Sequence, residues 1–219
     1  MTTLLIATRN AHKVGEIQTI LGTQFRCLTL QEFADAPAVV EDAETFAGNA
    51  TKKAVELAKW LAPRISNFEF QISNPIFVLA DDSGLEVDAL NGAPGVHSAR
   101  FAAMDKTENS HDADNNAKLL RLLKEVPLEK RTARFRCVIA LTKINPQSAI
   151  RNPQLFDGAC DGRIQFAASG HGGFGYDPLF VPDGFTQSFA ELGEDLKNKL
   201  SHRAKALAKL KDYFSKLPS

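Results

Sequence analysis

Two adjacent aspartates, Asp81 and Asp82, stand between the apolar run Ile76–Ala80 and the dipeptide Ser83–Gly84. The apolar run predicts a buried strand, so we expect both carboxylates where that strand ends. Neighbouring carboxylates repel each other, and each loses hydration when it is partly buried. A metal ion, a bound cation or a hydrogen-bonded turn could offset this cost. Because successive side chains on a strand point to opposite faces, one aspartate can face a cleft while the other anchors a turn at Ser83–Gly84.

Further carboxylates in the segment Val39–Glu44 could complete a metal site with the paired aspartates. Mg²⁺ prefers a few carboxylates together with water and phosphate oxygens, and this segment offers Glu41, Asp42 and Glu44. The alternative is an acidic helix entrance that complements the helix dipole. The residues alone leave open which of the three would be the second metal ligand.

Cationic side chains at two expected helix starts point to an anionic or electron-rich ligand. Asn10 is a plausible N-cap, which places Lys13 in the first turn of a helix. Ser201 precedes His202 and Arg203 in the same way. A cation opposes the dipole at a helix N-terminus unless an anion binds there. Arginine can also donate a pair of hydrogen bonds to the O6/N7 edge of a 6-oxo purine. The alternative at both places is an ordinary solvent-exposed helix start.

The stretch "GHGGFGYDPLF", Gly170–Phe180, places two aromatic rings in a glycine-rich loop. Its glycines permit backbone conformations with positive φ. From such a loop, Phe174 or Tyr176 could stack on a nucleobase. The alternative is a turn that ends at Asp177–Pro178, with both rings packed into the core.

The bulk composition is that of an ordinary globular protein and limits its partners. The chain has 219 residues, of which 44% are hydrophobic, and its 26 basic residues balance its 26 acidic ones. The zero net charge argues against a strongly basic nucleic-acid-binding protein, and no apolar run is long enough to span a membrane. The cysteines Cys27, Cys137 and Cys160 are too few and too far apart for a disulfide framework or a zinc motif. We therefore expect a protein of the reducing cytoplasm, with neither nucleic acid nor membrane as partner.

Strand and helix patterns interleave along the chain. Apolar runs and alternating apolar residues predict strands at Thr3–Ala7, Ile76–Ala80, Leu85–Leu90 and Thr132–Thr142, and further short strands between Phe156 and Phe166. Apolar residues at helical spacing predict helices after Asn10, after Thr45, at Asp112–Val126 and from Ser201 to Leu217. The stretch Pro63–Pro75 is a linker or an insertion. We predict an α/β fold with a mixed sheet flanked by helices, in one domain of residues 1–219 whose two lobes are continuous through the sheet.

Taken together, these stretches resemble the noncanonical purine nucleoside triphosphate pyrophosphatases, the inosine/xanthosine triphosphate pyrophosphatase family. The resemblance is carried, in the family's order, by "ATRNAHKVGEI", "ETFAGNATKKA", "ADDSGLEVDALNGAPGVHSARF", "GGFGYDPLF" and "SHRAKAL". It covers nearly the whole chain. It implies a twisted sheet, an active-site cleft between the two lobes, and a homodimer.

The resemblance also implies a role for individual residues. It assigns triphosphate binding to Thr8, Asn10, Lys13 and Lys53. It makes Asp82 the catalytic base and a Mg²⁺ ligand, with Glu41 as the second acidic ligand and Ser83 in contact with substrate. The loop that packs on the base corresponds to Phe174, Gly175, Tyr176 and Asp177, and the residues that read the purine correspond to Lys197, His202 and Arg203.

Three positions depart from the family's pattern. Gly48 stands before Asn49 where the family usually has an acidic residue, and Arg9 replaces a common glycine in the first loop. The stretch Pro63–Pro75 is longer than usual.

The implied reaction is Mg²⁺-dependent hydrolysis of ITP, dITP or XTP between the α and β phosphates, which yields a monophosphate and pyrophosphate. A donor such as Arg203 would favour the 6-oxo group of these bases over the 6-amino group of adenine. Two alternatives remain open from the residues. One is another Mg²⁺-dependent phosphate-ester or nucleotide-sugar hydrolase, and the other is a nucleotide-binding regulatory module without turnover. A signalling ATPase or GTPase is disfavoured because the chain has no GxxxxGK[ST] loop.

Overall fold

The computed structural model describes residues 1–67, 76–103, 109–144, 150 and 152–217. The strands are β1 (Thr2–Ile6), β2 (Phe25–Thr29), β3 (Ile76–Val87), β4 (Thr132–Lys143), β5 (Gln154–Ile164) and β6 (Phe180–Pro182). The α-helices are α1 (Ala11–Leu21), α2 (Phe46–Leu61), α3 (Asp112–Leu122), α4 (Phe189–Leu192), α5 (Glu194–Leu200) and α6 (His202–Ser215). Within these described residues, no helix is long and apolar enough to cross a membrane.

The strands form one six-stranded sheet in the order β2-β1-β3-β4-β5-β6. Strand β1 pairs in parallel with both β2 and β3, whereas β5 and β6 are antiparallel. Helix α1 follows β1 directly and connects it to the parallel strand β2, as a parallel pair requires a crossover. The predicted α/β fold with a mixed sheet is confirmed.

The backbone divides into two compact units. The first comprises Met1–Asp82, Val138–Asp157 and Ala206–Ser219, and the second comprises Ser83–Cys137 and Gly158–Lys205. Strands β3, β4 and β5 each contribute residues to both units. The assignment of one domain with a cleft between two lobes stays a prediction.

The first unit buries the apolar faces of its helices. In α1 the buried residues Ile17 and Leu21 lie one turn apart, and in α2 the buried positions repeat at helical spacing from Phe46 to Leu61. The same buried face of α2 also carries the polar residues Asn49 and Lys53. Burying polar groups is unfavourable unless they find partners, so this face indicates more than packing.

The second unit has an aromatic core. The Phe135 ring packs 4.7 Å from that of Phe180, between ring centroids, and Phe189 lies against both. Strand β6 approaches β5 closely at Gly162, where a Cβ atom would lie 2.3 Å from the Val181 carbonyl oxygen. Glycine is therefore required at this position. The sequence did not predict β6, because three residues are too few to show a strand period.

The paired aspartates lie inside a strand and not at its end. Strand β3 runs without interruption from Ile76 to Val87, so the prediction of a bend at Ser83–Gly84 is wrong. Continuing the strand buries Leu85 and Val87 completely. The Leu85 N–H donates to Ser98 Oγ at 2.9 Å, which satisfies the backbone beyond the aspartates.

Other boundaries differ from the predictions. The strand predicted at Leu85–Leu90 ends at Val87 and continues as a short 3₁₀ turn, and the helix predicted at Asp112–Val126 ends at Leu122. The short strands predicted between Phe156 and Phe166 are one strand, β5. The first part of the predicted insertion Pro63–Pro75 belongs to a 3₁₀ helix, Ala62–Asn67, that follows α2 directly. Residues 68–75 lie outside the described part of the chain.

Candidate active site

The turn between β1 and α1 directs Lys13 toward Asp81. Asn10 caps α1, because its Oδ1 accepts a hydrogen bond from the Lys13 N–H at 3.1 Å, and the Asn10 N–H donates to Thr8 Oγ1 at 3.2 Å. The Lys13 Nζ lies 2.6 Å from Oδ1 of the fully buried Asp81. This ion pair offsets the cost of burying the carboxylate. Of the two alternatives for Lys13, the geometry disfavours a purely solvated lysine.

Lys53 lies between acidic groups contributed by two segments. Its Nζ donates to Glu41 Oε2 at 2.7 Å and to the Asp81 carbonyl oxygen at 2.6 Å, and it lies 3.7 Å from Asp82 Oδ1. Asp42 has a different partner, because its Oδ1 lies 2.7 Å from Lys52 Nζ. Among the acidic residues of Val39–Glu44, this geometry favours Glu41 as the partner of Asp82.

Asp82 is held in an environment that favours its protonated form. Burial raises its pKa to about 6 from an ordinary value of 3.8, and the negative charges of Glu41 and Asp81 add to that rise. The cations Lys53 and Lys13 oppose it. A carboxylate with a pKa near neutrality is suited to accept a proton from water.

Asn49 is a contact of Asp82 that the predicted set of site residues did not include. Its Nδ2 donates to Asp82 Oδ2 at 3.1 Å, and its Oδ1 accepts from the Ala43 N–H at 2.9 Å. Asn49 and Lys53 lie one helical turn apart on α2, so both reach the same carboxylate. The available signal in the sequence was two polar residues at helical spacing within an apolar stripe.

The carboxylates of this cluster suit a metal that also binds substrate. In the described part of the chain, no group of three or more His, Cys, Asp or Glu side chains could hold a metal ion by itself. Mg²⁺ is commonly bound through one or two carboxylates together with substrate phosphates. Asp82 and Glu41, which both approach Lys53 Nζ, fit that arrangement.

In the second unit, Asp177 organises the glycine-rich loop. Its Oδ2 accepts from Lys197 Nζ at 2.5 Å and from the Phe174 N–H at 2.9 Å. Gly173 has φ +74°, and a Cβ atom there would lie 2.3 Å from Asp177 Oδ2. This oxygen of the buried carboxylate thus joins the loop to α5.

The two aromatic residues of this loop are in different environments. Tyr176 is packed into the core, its hydroxyl donates to the Ser98 carbonyl oxygen at 2.9 Å, and burial raises the pKa of its hydroxyl. For Tyr176 the structure therefore has the ring tucked into the core. Phe174 is half-buried, and Lys197 Nζ lies 4.3 Å from its ring centroid.

The start of α6 is buried and not an exposed helix start. Ser201 is its N-cap, because Oγ accepts from the Ala204 N–H at 3.2 Å. Arg203 is 1% exposed and donates to Ser83 Oγ at 2.8 Å. The His202 ring stacks on Phe135, with 4.9 Å between centroids and 15° between planes. Burying two cationic or polar groups in a first helical turn is consistent with a binding role.

The predicted residues therefore fall into two groups. The first unit brings together Lys13, Glu41, Lys53 and Asp82, with Thr8 and Asn10 at the start of α1. The second unit holds Ser83, Phe174, Gly175, Tyr176, Asp177, Lys197, His202 and Arg203. Arg9, which departs from the family's pattern, donates to the Ala36 carbonyl oxygen at 2.7 Å.

A sequence model of the Ham1 family matches residues 4–213. The chain belongs to the Ham1 family. A dITP/XTP pyrophosphatase of Desulforamulus reducens is 45% identical over 98% of this chain and 96% of its own length. One of Geobacter sulfurreducens is 46% identical over 97% of this chain and 96% of its own length. The structure of a HAM1 protein from Coxiella burnetii has a TM-score of 0.80 at 34% identity, and covers 99% of this chain and 100% of its own.

The family relationship confirms the resemblance that the sequence motifs predicted. The matched residues 4–213 include both groups of candidate site residues. The roles of the individual residues stay predictions, and the geometry now gives each one a defined set of partners.

Proposed function

We propose that this protein hydrolyses noncanonical purine nucleoside triphosphates, namely ITP, dITP and XTP, to the monophosphate and pyrophosphate. Its role would be to remove damaged purine nucleotides from the nucleotide pool. The observation that carries the proposal is Asp82, a 6% exposed carboxylate held by Asn49 and Lys53. The chain also matches two dITP/XTP pyrophosphatases over nearly their whole length.

Asp82 is the proposed general base. Its carboxylate would accept the proton of the attacking water, and a raised pKa makes that transfer more favourable than for an ordinary aspartate. Asn49 Nδ2 holds one of its oxygens, so that the other keeps a defined orientation. Asp82 and Glu41 would hold Mg²⁺, which when bound supplies neutralisation of phosphate charge and polarisation of water.

The cations of the first unit would bind the triphosphate. Thr8 and Asn10 lie at the N-terminus of α1, where free N–H groups favour anions. Lys13 and Lys53 would stabilise the charge that develops on the pyrophosphate leaving group. Lys53 already bridges Glu41 and the Asp81 carbonyl oxygen, so its ammonium is oriented before substrate arrives.

Residues of the second unit would recognise the base. Arg203 would donate to the 6-oxo group, and Lys197 and His202 would contact the purine. The segment Phe174–Asp177 would pack against the base, and Ser83 would contact the substrate. An adenine base presents an amino group where the site offers donors, so its binding leaves a buried donor unpaired.

A panel of nucleotides tests the reaction. With Mg²⁺, purified protein is expected to release pyrophosphate from ITP, dITP and XTP far faster than from ATP or GTP. Products are measured separately as pyrophosphate and orthophosphate. Orthophosphate as the sole product would indicate a different hydrolase, and binding of ITP without turnover would indicate a regulatory module.

Substitution of the proposed base tests the mechanism. Asp82→Asn keeps the volume of the side chain and removes the proton acceptor. We expect turnover to fall by roughly 10²–10⁴-fold, with an unchanged circular dichroism spectrum. Near-normal pyrophosphate release from this variant would remove Asp82 from the mechanism.

A further inference from the structure

Helix α3 holds the backbone of Gly175 from both sides. The Gly175 N–H donates to Asp112 Oδ2 at 2.6 Å, and the Gly175 carbonyl oxygen accepts from Asn116 Nδ2 at 3.0 Å. Asp112 and Asn116 lie one helical turn apart, so both side chains project from the same face of α3. Neither residue belongs to the sequence motifs, and both are far from Gly175 in the chain.

Gly175 lacks the separate contacts that fix its neighbours in the loop, so its position depends on these two hydrogen bonds. Phe174, Tyr176 and Asp177 are each fixed by contacts of their own: the Phe174 N–H bonds to Asp177, the Tyr176 hydroxyl to Ser98, and Asp177 to Lys197. Gly175 has no side chain, and a Cβ placed on it would meet nothing within 4 Å. Its φ of +62° is a conformation that glycine can leave easily. No side chain anchors Gly175, so the hydrogen bonds of its two peptide groups fix its backbone conformation.

We propose that Asp112 and Asn116 are positioning residues for base selection. They fix the peptide groups on either side of Gly175, and so keep the turn from Phe174 to Asp177 in the conformation that would pack against the base. This inference rests on the proposed function, in which Phe174–Asp177 packs against the base. It assigns a role in specificity to helix α3, through its two hydrogen bonds to Gly175.

The expected effect falls on binding and discrimination, and not on the chemical step. Losing one hydrogen bond to a charged acceptor corresponds to about a tenfold change in an equilibrium constant. Removing the Asp112 acceptor is therefore expected to raise KM for ITP by about tenfold. The value of kcat is expected to change by less than about threefold, because the carboxylates and lysines of the first unit are unaltered. The ratio of kcat/KM for ITP over GTP is expected to fall.

The experiment compares three substitutions in the first turn of α3. Asp112→Ala removes the acceptor, whereas Asp112→Asn removes the charge and retains an oxygen that can accept from the Gly175 N–H. Asp114→Ala is the matched control, because Asp112 and Asp114 are both exposed acidic residues in the first turn of α3. Asp112→Asn is expected to retain most of the discrimination, and Asp114→Ala all of it.

A second variant keeps the test decisive if Asp112→Ala folds poorly. Asn116→Leu removes the Nδ2 donor and keeps the size of the side chain. Asn116 Oδ1 is buried, and no hydrogen-bond partner for it lies among the described residues, so the replacement also removes an unsatisfied acceptor. It is expected to raise KM for ITP with little change in the melting temperature.

The outcomes separate the inference from the proposed function. Active wild-type protein, with Asp112→Ala and Asn116→Leu both indistinguishable from Asp114→Ala, would overturn the inference alone. A fall in kcat with KM unchanged would also overturn it. Wild-type protein that releases no pyrophosphate from any nucleotide would contradict the proposed function and the inference with it.

Discussion

Asp81 and Asp82 are adjacent in the chain, yet their carboxylates have different partners. The Asp81 carboxylate pairs with Lys13, which lies in the first turn of α1. The Asp82 carboxylate contacts Asn49 and Lys53 of α2. This separation follows from the strand, whose successive side chains lie on opposite faces. One carboxylate is therefore neutralised by an ion pair, while the other remains in an environment that raises its pKa. At the scale of the residue, the pair is divided into a support and a candidate base.

The raised pKa of Asp82 predicts a pH dependence of stability in metal-free protein. Its pKa is about 6 in the fold, against an ordinary value of 3.8, so between these values the folded state binds more protons than the unfolded state. The free energy of unfolding contributed by this group therefore falls as pH rises from about 4 to 6, and the loss is complete above 6. The cost is up to roughly 3 kcal/mol at neutral pH.

Urea unfolding with a chelator at pH 4 to 7 measures this effect. Asp82→Asn is expected to become increasingly more stable than wild type as pH rises, as judged by the free energy of unfolding. A constant difference across this range would show that Asp82 titrates normally. Glu129→Gln, a carboxylate at an exposed position, serves as the control.

Helix α2 presents polar side chains on the face that packs inward. Asn49 joins Asp82 on β3 to the Ala43 N–H, so it connects the strand with the segment that carries Glu41. Gly48 is compatible with this packing, because a Cβ at that position would lie 2.7 Å from Ala43 Cβ. The departure from the family's pattern at Gly48 thus coincides with a close approach of the chain. At the scale of the element, α2 positions both candidate acidic residues.

Removing the Asn49 amide is expected to destabilise the fold. Asn49→Leu leaves the Ala43 N–H and one oxygen of Asp82 without their partner, at a cost of roughly 1–3 kcal/mol. Chemical denaturation measures the change, with Lys59→Leu at an exposed position of the same helix as control. An unchanged midpoint for Asn49→Leu would mean that both groups find other partners.

Two glycine-to-alanine substitutions are expected to lower stability by different amounts, because only one of the added methyl groups would meet a neighbour. In Gly173→Ala the added Cβ would lie 2.3 Å from Asp177 Oδ2, whereas in Gly184→Ala it would meet nothing within 4 Å. Both glycines have positive φ, +74° and +85°, so the backbone cost is shared and the contact with Asp177 differs. Gly173→Ala is expected to cost about 1–3 kcal/mol more than Gly184→Ala, as measured by thermal unfolding. Equal losses would show that the loop can shift away from Asp177.

The two units carry different chemistry in one chain with no net charge. The first unit contributes paired carboxylates and lysines, and the second contributes buried aromatic, cationic and amide groups. With 26 basic and 26 acidic residues in balance, affinity for an anionic ligand must come from local placement and not from an overall field. At the scale of the whole molecule, Lys13 and Lys53 are cations placed among the carboxylates of the first unit.

The resemblance to the family predicts a homodimer in solution. Sedimentation equilibrium is expected to give one species at twice the chain mass of 23.9 kDa. A species at the mass of one chain, at concentrations where the enzyme is active, would contradict the prediction.

Local features were determined by the sequence itself. The caps Asn10, Thr45 and Ser201 were predictable because each side chain bonds to an N–H three residues further along. The motifs indicated the family and the type of reaction, since each motif is a short run of residue types, and the interleaved strand and helix patterns indicated the mixed α/β fold. The continuity of β3 was missed because two carboxylates and a Ser–Gly pair are typical of a turn when their partners are unknown.

The tertiary structure alone decided which groups meet. Lys13 with Asp81, Asn49 with Asp82, and Asp112 with Gly175 are contacts between residues far apart in the chain. No local pattern specifies such pairs, because they depend on how strands and helices pack and on which buried polar groups must find partners. The same packing placed Tyr176 in the core and Phe174 beneath Lys197. The residue types were readable from the sequence, whereas their partners, burial and pKa values required the folded chain.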